Sequence, residues 1–177
     1  MALVLLLGGA RSGKSAMAVR LASDSQAPVT FIATASAGDD EMAERIRRHR
    51  ESRPADWKTV EAALDVLGPI RATAAGEFIV IDCLTLWVAN LLGEGAGAAE
   101  IESAAAEMLR ALRARDCVVV TNEVGLGIVP VNELARRFRD VLGDVNALFA
   151  AAADRAVLMV AGRTVDLAST ESVLRRP

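Results

Sequence analysis

Leu3-Val4-Leu5-Leu6-Leu7-Gly8-Gly9-Ala10-Arg11-Ser12-Gly13-Lys14-Ser15 decides the fold. An apolar run, Leu3 to Leu7, leads into G-x-x-x-x-G-K-[ST], and a helical segment, Ser15 to Ala22, follows. Glycines let successive backbone N–H groups turn inward around phosphate oxygens, and the positive end of the helix dipole adds to them. Gly8, Gly9, Ala10, Arg11, Ser12, Gly13, Lys14 and Ser15 are therefore expected to cradle a nucleoside polyphosphate. Lys14 would reach the β and γ phosphates and the Ser15 hydroxyl would ligate Mg²⁺.

Outward from this loop, short apolar runs recur with helical stretches between them: Val29 to Thr34, Phe78 to Asp82, Cys117 to Thr121 and Ala156 to Ala161. That alternation predicts βα units and an α/β, mainly parallel sheet flanked by helices on both faces. Gly162-Arg163 followed by Thr164 to Leu167 predicts an antiparallel hairpin at one edge. Ile101, Ala105, Met108, Leu109 and Leu112 share one helical face, and Leu134, Phe138, Val141, Leu142, Val145 and Leu148 share another. Both faces are expected to pack on the sheet. Gly93 to Ala99 reads as a mobile connection. One domain over 1–168 is expected, followed by a polar tail over 169–177.

The chain has 177 residues, 53% of them hydrophobic, enough for one core covered on both sides. A formal net charge of −3 argues against a surface built for nucleic acid, so any anion site must be local. No stretch reaches the roughly 18 uncharged apolar residues that a membrane span needs. Cys83 and Cys117 lie beside apolar runs and read as reduced, core-packed thiols, which suits the cytoplasm.

A phosphate loop needs a carboxylate for its metal, commonly at the end of a neighbouring buried strand. Asp82 closes Phe78-Ile79-Val80-Ile81 and can serve there directly or through water; the competing role is to cap the helix beginning near Thr85. The presence of the phosphate loop favours the metal role.

Asp39 to Pro54 reads as a helix with an acidic first turn and a proline stop. Helical spacing puts Arg45, His49, Ser52 and Arg53 on one side, so the one histidine of the chain shares its face with guanidinium groups. Arginines grip phosphate oxygens, and an imidazole nitrogen can attack phosphorus to give a phosphoramidate. Neighbouring arginines also oppose imidazole protonation. A solvated helix face with an inconsequential histidine fits the same spacing, and nucleic-acid binding is disfavoured by the adjacent acidic residues and the lack of interleaved aromatics.

Together these segments resemble the bifunctional adenosylcobinamide kinase and adenosylcobinamide-phosphate guanylyltransferase family of cobalamin biosynthesis. The resemblance runs from Leu3 to about Leu167. It rests on the phosphate loop, Ile32-Ala33-Thr34-Ala35, the run from Asp40 to His49, Arg53-Pro54, Trp57 to Glu61, Asp82 to Thr85, and Asn90-Leu91-Leu92. The most distinctive matches are Thr121-Asn122-Glu123-Val124-Gly125-Leu126-Gly127-Ile128-Val129-Pro130 and Ala135 to Asp140. Leu126 stands where methionine is common and Ala147 where glutamine often follows the asparagine.

The resemblance implies a P-loop NTPase of RecA-like fold that acts as a homotrimer. Its members phosphorylate the aminopropanol hydroxyl of adenosylcobinamide with ATP or GTP. They then transfer GMP from GTP to that phosphate through a histidine, releasing pyrophosphate. It makes His49 and Lys14 the catalytic pair, and places Thr34, Ala35, Ser36, Glu51, Ser52, Arg53, Pro54, Glu61 and Asp82 with the phosphate loop around the guanine nucleotide. Ser15 and Asp82 would hold Mg²⁺. The loop Asn122, Glu123 and Gly125 is expected to help accept the corrinoid or to close the site from a neighbouring subunit. A simple small-molecule kinase and a regulatory nucleotide switch are the competing functions; the chain lacks the N-K-x-D guanine motif that a switch would favour.

Overall fold

The computed structural model describes residues 2–36, 43, 44, 47, 50, 51 and 53–174. A seven-stranded sheet is ordered β3-β2-β4-β5-β1-β6-β7. Its strands are β1 (Leu3–Gly8), β2 (Val29–Ala33), β3 (Lys58–Glu61), β4 (Phe78–Asp82), β5 (Cys117–Val120), β6 (Arg155–Val160) and β7 (Arg163–Leu167). All neighbours pair in parallel except β6 and β7, which form the expected antiparallel edge hairpin.

The central strands read as continuous apolar runs because each feeds two cores. Leu3, Leu5 and Leu7 of β1 and Ile79 and Ile81 of β4 face one cluster, while Leu6, Phe78 and Val80 face the other. The first core is roofed by α3 (Leu84–Gly93), α4 (Ala98–Leu112) and α5 (Glu133–Ala152), with Ile70 of α2 (Leu67–Ala72) at its side. Ala18 and Ala22 of α1 (Lys14–Asp24) enter the second, joined by partly buried Trp57. A short helix, α6 (Thr170–Leu174), lies in the stretch read as a polar tail.

Several expectations change. In α4, Ile101, Ala105, Met108 and Leu112 are buried as predicted. In α5 the seam is Val141, Leu142, Val145 and Phe149, whereas Leu134 and Leu148 are 62% and 36% exposed. At 100° per residue Phe149, not Leu148, continues the face set by Val141, Leu142 and Val145; Leu134 shares that face by angle, but it stands on the helix's first turn, where it is left exposed. Gly93 to Ala99, read as a mobile connection, is in the structure a short turn together with the helix ends that flank it. Gly93 ends α3, Ala98 begins α4, and the turn between them is tied by Glu94 N–H to Asn90 O, Gly95 N–H to Leu92 O and Ala96 N–H to Leu91 O. Gly95 takes φ 89°, the left-handed value that such helix ends require.

Candidate active site

β1 delivers Gly8 to the carboxyl edge of the sheet, where ligands of open α/β folds gather. Gly8 (φ 148°) and Gly13 (φ 100°) adopt backbone that side chains disfavour. A Cβ on Gly8 would lie 2.2 Å from the Met159 carbonyl oxygen, so β6 presses directly on the loop. Gly162, in the β6–β7 turn, donates its N–H to the Ser12 carbonyl at 3.0 Å, and the hairpin thus backs the loop. Gly13 is the N-cap of α1, and neither a capping side-chain hydrogen bond nor an acidic first-turn residue competes for the helix's leading N–H groups. Those donors suit an anion.

Lys14 is 6% exposed. Its ammonium donates to the carbonyls of Gly8 at 2.8 Å and Gly9 at 2.7 Å, and to the Ser12 hydroxyl at 3.3 Å. Burial lowers its pKa, while the nearby Cys83 and Asp82 pull the other way. Asp82 therefore lies within electrostatic reach of the Lys14 ammonium. It does not cap the following helix: the N-cap of α3 is Cys83, with no side-chain cap hydrogen bond.

For Mg²⁺ the donor set fits. A hydroxyl at Ser15 and a carboxylate at Asp82 are hard oxygen ligands, and Mg²⁺ commonly takes one or two carboxylates and fills its shell with phosphate oxygens and water. Among the described residues no three His, Cys, Asp or Glu side chains converge on a metal, so a cation here would depend on those outside ligands.

Four of the remaining predicted residues lie at the ends of neighbouring strands. Thr34, Ala35 and Ser36 follow β2, and Glu61 closes β3. Thr34 is fully buried, and its hydroxyl clamps two strands: it donates to the Cys83 carbonyl and accepts from the Cys83 N–H, both at 2.7 Å. Asn90 holds the same corner by donating to the carbonyls of Thr34 and Ala63 at 2.9 and 3.0 Å. Arg53 stacks its guanidinium 3.6 Å over the Phe31 ring. Burial lowers the Arg53 pKa first, Asp82 opposes that, Arg50 adds to it and Glu61 opposes it, so the four charges share one neighbourhood. Arg50 pairs with Glu61 at 3.8 Å, Glu51 pairs with Arg47, and Pro54 accepts the Trp57 N–H at 3.2 Å. His49 and Ser52 lie outside the described residues, as does Arg45; Ala43, Glu44, Arg47, Arg50 and Glu51 are helical.

A polar cluster that sequence reading missed fixes the end of β5. Thr121 donates to Asn146 Oδ1 at 2.7 Å, Asn146 Nδ2 donates to the Asn122 carbonyl at 3.0 Å, and the Asn122 N–H donates to the Thr85 hydroxyl at 2.7 Å. Asn146 sits on the apolar seam of α5, and a polar residue at a core position was the available signal. Two grooves of about 580 and 450 Å³ flank α2 and α4, lined by residues such as Arg71, Arg110 and Arg115, or Leu64, Trp87 and Glu100. Neither contains a predicted site residue, and the chemistry of the phosphate loop outweighs their size.

Among solved structures, the RadB recombinase aligns with TM-score 0.51 at 13% identity over 89% of this chain and 73% of its own. The ATPase EscN of the enteropathogenic E. coli type III secretion system aligns with TM-score 0.55 at 9% identity over 90% and 43%. These likenesses support the fold alone, a P-loop sheet of the RecA-like kind. The bifunctional adenosylcobalamin biosynthesis protein CobP of Pseudomonas aeruginosa is 45% identical over 173 residues, spanning 92% of this chain and 95% of that protein. CobU of Salmonella typhimurium, described in the same words, is 45% identical over 90% of this chain and 96% of its own. The CobU family, cobinamide kinase / cobinamide phosphate guanyltransferase, matches residues 4–167, and the chain belongs to it.

Proposed function

We propose that one nucleotide site on this chain serves both reactions of the family, with His49 as the covalent carrier of GMP. In the kinase step the aminopropanol hydroxyl oxygen of adenosylcobinamide attacks the γ phosphorus of ATP or GTP. The new P–O bond forms as the bond to the leaving nucleoside diphosphate, ADP or GDP, breaks, and the hydroxyl proton passes to water. In the second step an imidazole nitrogen of His49 attacks the α phosphorus of GTP and pyrophosphate leaves. The phosphate oxygen of adenosylcobinamide phosphate then displaces the imidazole, giving adenosylcobinamide-GDP and restoring His49.

Within this scheme Lys14 leaves the Gly8 and Gly9 carbonyls for phosphate oxygens, and the α1 N-terminus and loop N–H groups hold the rest. Ser15 and Asp82 would hold Mg²⁺, which when bound neutralises charge on the phosphates. Arg53 and Glu61, with Thr34, Ala35, Ser36, Glu51, Ser52 and Pro54 around them, complete the nucleotide's surroundings. The observation that carries this reading is convergence at one sheet edge. Lys14, Asp82, Glu61, Arg50 and Arg53 share it, and Arg50 is the residue next to His49. A homotrimer working in the cytoplasm is part of the same proposal.

Intact-mass measurement after Mg²⁺-GTP tests the carrier. Wild type should gain one GMP, acid-labile, and His49→Ala none, while the variant keeps part of its cobinamide phosphorylation. A folded His49→Ala that still acquires GMP, or that loses both activities equally, refutes the assignment.

A further inference from the structure

Asp82 is the last residue of β4, paired opposite Ala33 of β2 on one side and Val120 of β5 on the other. Beyond it Cys83 leaves the sheet to start α3. Backbone that has left its ladder opens most easily, and here one residue takes over from the ladder. The Thr34 N–H donates to the Asp82 carbonyl at 3.0 Å, and the Thr34 hydroxyl accepts the Cys83 N–H at 2.7 Å. Both polar groups of the peptide unit after Asp82 therefore end on Thr34. The same hydroxyl donates to the Cys83 carbonyl at 2.7 Å. With the planar units on either side of it held, Asp82 keeps its side-chain torsions and little else, so its carboxylate reaches a narrow range of positions.

Thr34 is steadied in turn. Asn90, on the α3 helix that begins just past Asp82, donates to the carbonyls of Thr34 and Ala63 at 2.9 and 3.0 Å, and the Ala62 N–H donates to the Ala33 carbonyl at 2.8 Å. The helix that leaves Asp82 thus reaches back to the strand end that holds Asp82. A hydroxyl has one proton, and the Cys83 carbonyl takes it, so the fully buried Thr34 offers no O–H to a phosphate. We propose that Thr34 is a positioning residue for the metal carboxylate, acting on Mg²⁺ through Asp82 and itself set in place by Asn90. This rests on the function proposed above, which gives Asp82 to the cation, and it changes the part of Thr34 from touching the nucleotide to aiming a ligand of its metal. Mg²⁺ demands near-ideal octahedral geometry, so a carboxylate that wanders binds it less well.

Mn²⁺ stands in for Mg²⁺ in the test. It is titrated by electron paramagnetic resonance against the full chain with the β,γ-imido analogue of ATP, a readout that needs no turnover. Thr34→Val removes the hydroxyl at nearly the same volume and leaves the Cys83 N–H unpaired, which costs stability but does not of itself alter metal affinity. Its Mn²⁺ Kd should rise about tenfold or more, while Thr34→Ser stays near wild type. In EDTA, Thr34→Val should bind the analogue as wild type does. In an Asp82→Asn background, Thr34→Val should weaken Mn²⁺ no further, since the group it aims is gone. Asn90→Ala, at a half-buried position, should raise the Kd by a smaller factor, and it carries the test if Thr34→Val does not fold. An unchanged Mn²⁺ Kd in Thr34→Val, or in Asn90→Ala where only that variant folds, overturns the inference. Lost affinity in EDTA overturns it by making Thr34 a direct nucleotide contact, and so does additive weakening in the Asp82→Asn background. An Asp82→Asn variant that binds Mn²⁺ as wild type does removes the metal role of Asp82 and the inference with it. If wild type transfers neither phosphate nor GMP to cobinamide, the functional reading fails instead, and the Mn²⁺ titration still decides the positioning.

Discussion

The Thr121 hydroxyl donates a 2.7 Å hydrogen bond to Oδ1 of Asn146, joining the end of β5 to the middle of α5 inside the protein. Thr121 is fully buried and Asn146 nearly so, and the other end of the same amide holds the Asn122 carbonyl. Asn146→Ala leaves the Thr121 hydroxyl with only a 3.5 Å contact to Thr85 and strips the Asn122 carbonyl of its side-chain donor. The expected cost is about 1–3 kcal/mol, read as a lower midpoint in urea.

Gly8 and Gly9 are neighbours with opposite tolerance. Gly8→Ala drives a methyl into the Met159 carbonyl, a backbone atom of a paired strand that cannot swing away, at φ 148°. Destabilisation of about 1–3 kcal/mol and loss of nucleotide binding are expected. Around Gly9 a Cβ would meet nothing within 4 Å, so Gly9→Ala should keep stability within about 0.5 kcal/mol. Thermal melts of the two variants, each with and without GTP, check the contrast.

The contrast between Gly8 and Gly9 also shows what the chain makes legible. Leu3 to Leu7 announces a doubly covered strand because every residue is apolar, and the G-K-S signature fixes the turn after it. β3 went unread: Lys58-Thr59-Val60-Glu61 is a half-exposed edge strand whose polar residues break the hydrophobic pattern. α2 went unread because Gly68 and Pro69 look like a turn, though Pro69 stands in the first turn, where a missing N–H is harmless. Thr34 was placed at the nucleotide by resemblance, but its clamp on Cys83 depends on two strands meeting and has no local signature. That Met159 backs the phosphate loop is invisible to any local pattern, since the two lie some 150 positions apart in a chain of 177.

Both thiols should be silent in the native protein. Burial, then the Asp82 charge, pushes Cys83 up to about 11; burial, then Asp116 and Asp154, pushes Cys117 up to about 12. At pH 8 neither carries appreciable thiolate, so iodoacetamide should label the chain only after unfolding. The same shifts set a stability trend. Between the ordinary thiol pKa of 9.0 and these raised values the folded chain holds protons that the unfolded chain has released. Stability should be unaffected by the thiols below pH 9, decline as pH rises above it, and lose this contribution through the folded pKa values. Cys83→Ala with Cys117→Ala should flatten that alkaline decline in pH-dependent urea titrations.

Lys14→Met separates binding from folding. The ammonium is buried at a desolvation cost large enough to lower its pKa despite Cys83 and Asp82, so removing its charge relieves an unfavourable burial. Its two carbonyl partners do not become orphans: Gly8 keeps the Glu123 N–H at 3.3 Å, and Gly9 keeps the Ser12 N–H at 3.4 Å. Methionine fills a similar volume with no charge to satisfy. Without nucleotide, then, Lys14→Met should melt within a few degrees of wild type, a shift of about 1 kcal/mol or less. With Mg²⁺-GTP or Mg²⁺-ATP the wild type should gain thermal stability through ligand linkage and the variant should not. Both the phosphorylation and the guanylyl transfer should drop by about a hundredfold or more, since both triphosphates need the same cation. A variant that unfolds without nucleotide would show that the lysine's ties to Gly8 and Gly9 hold the loop together. One that keeps either activity would show that its phosphates are held elsewhere.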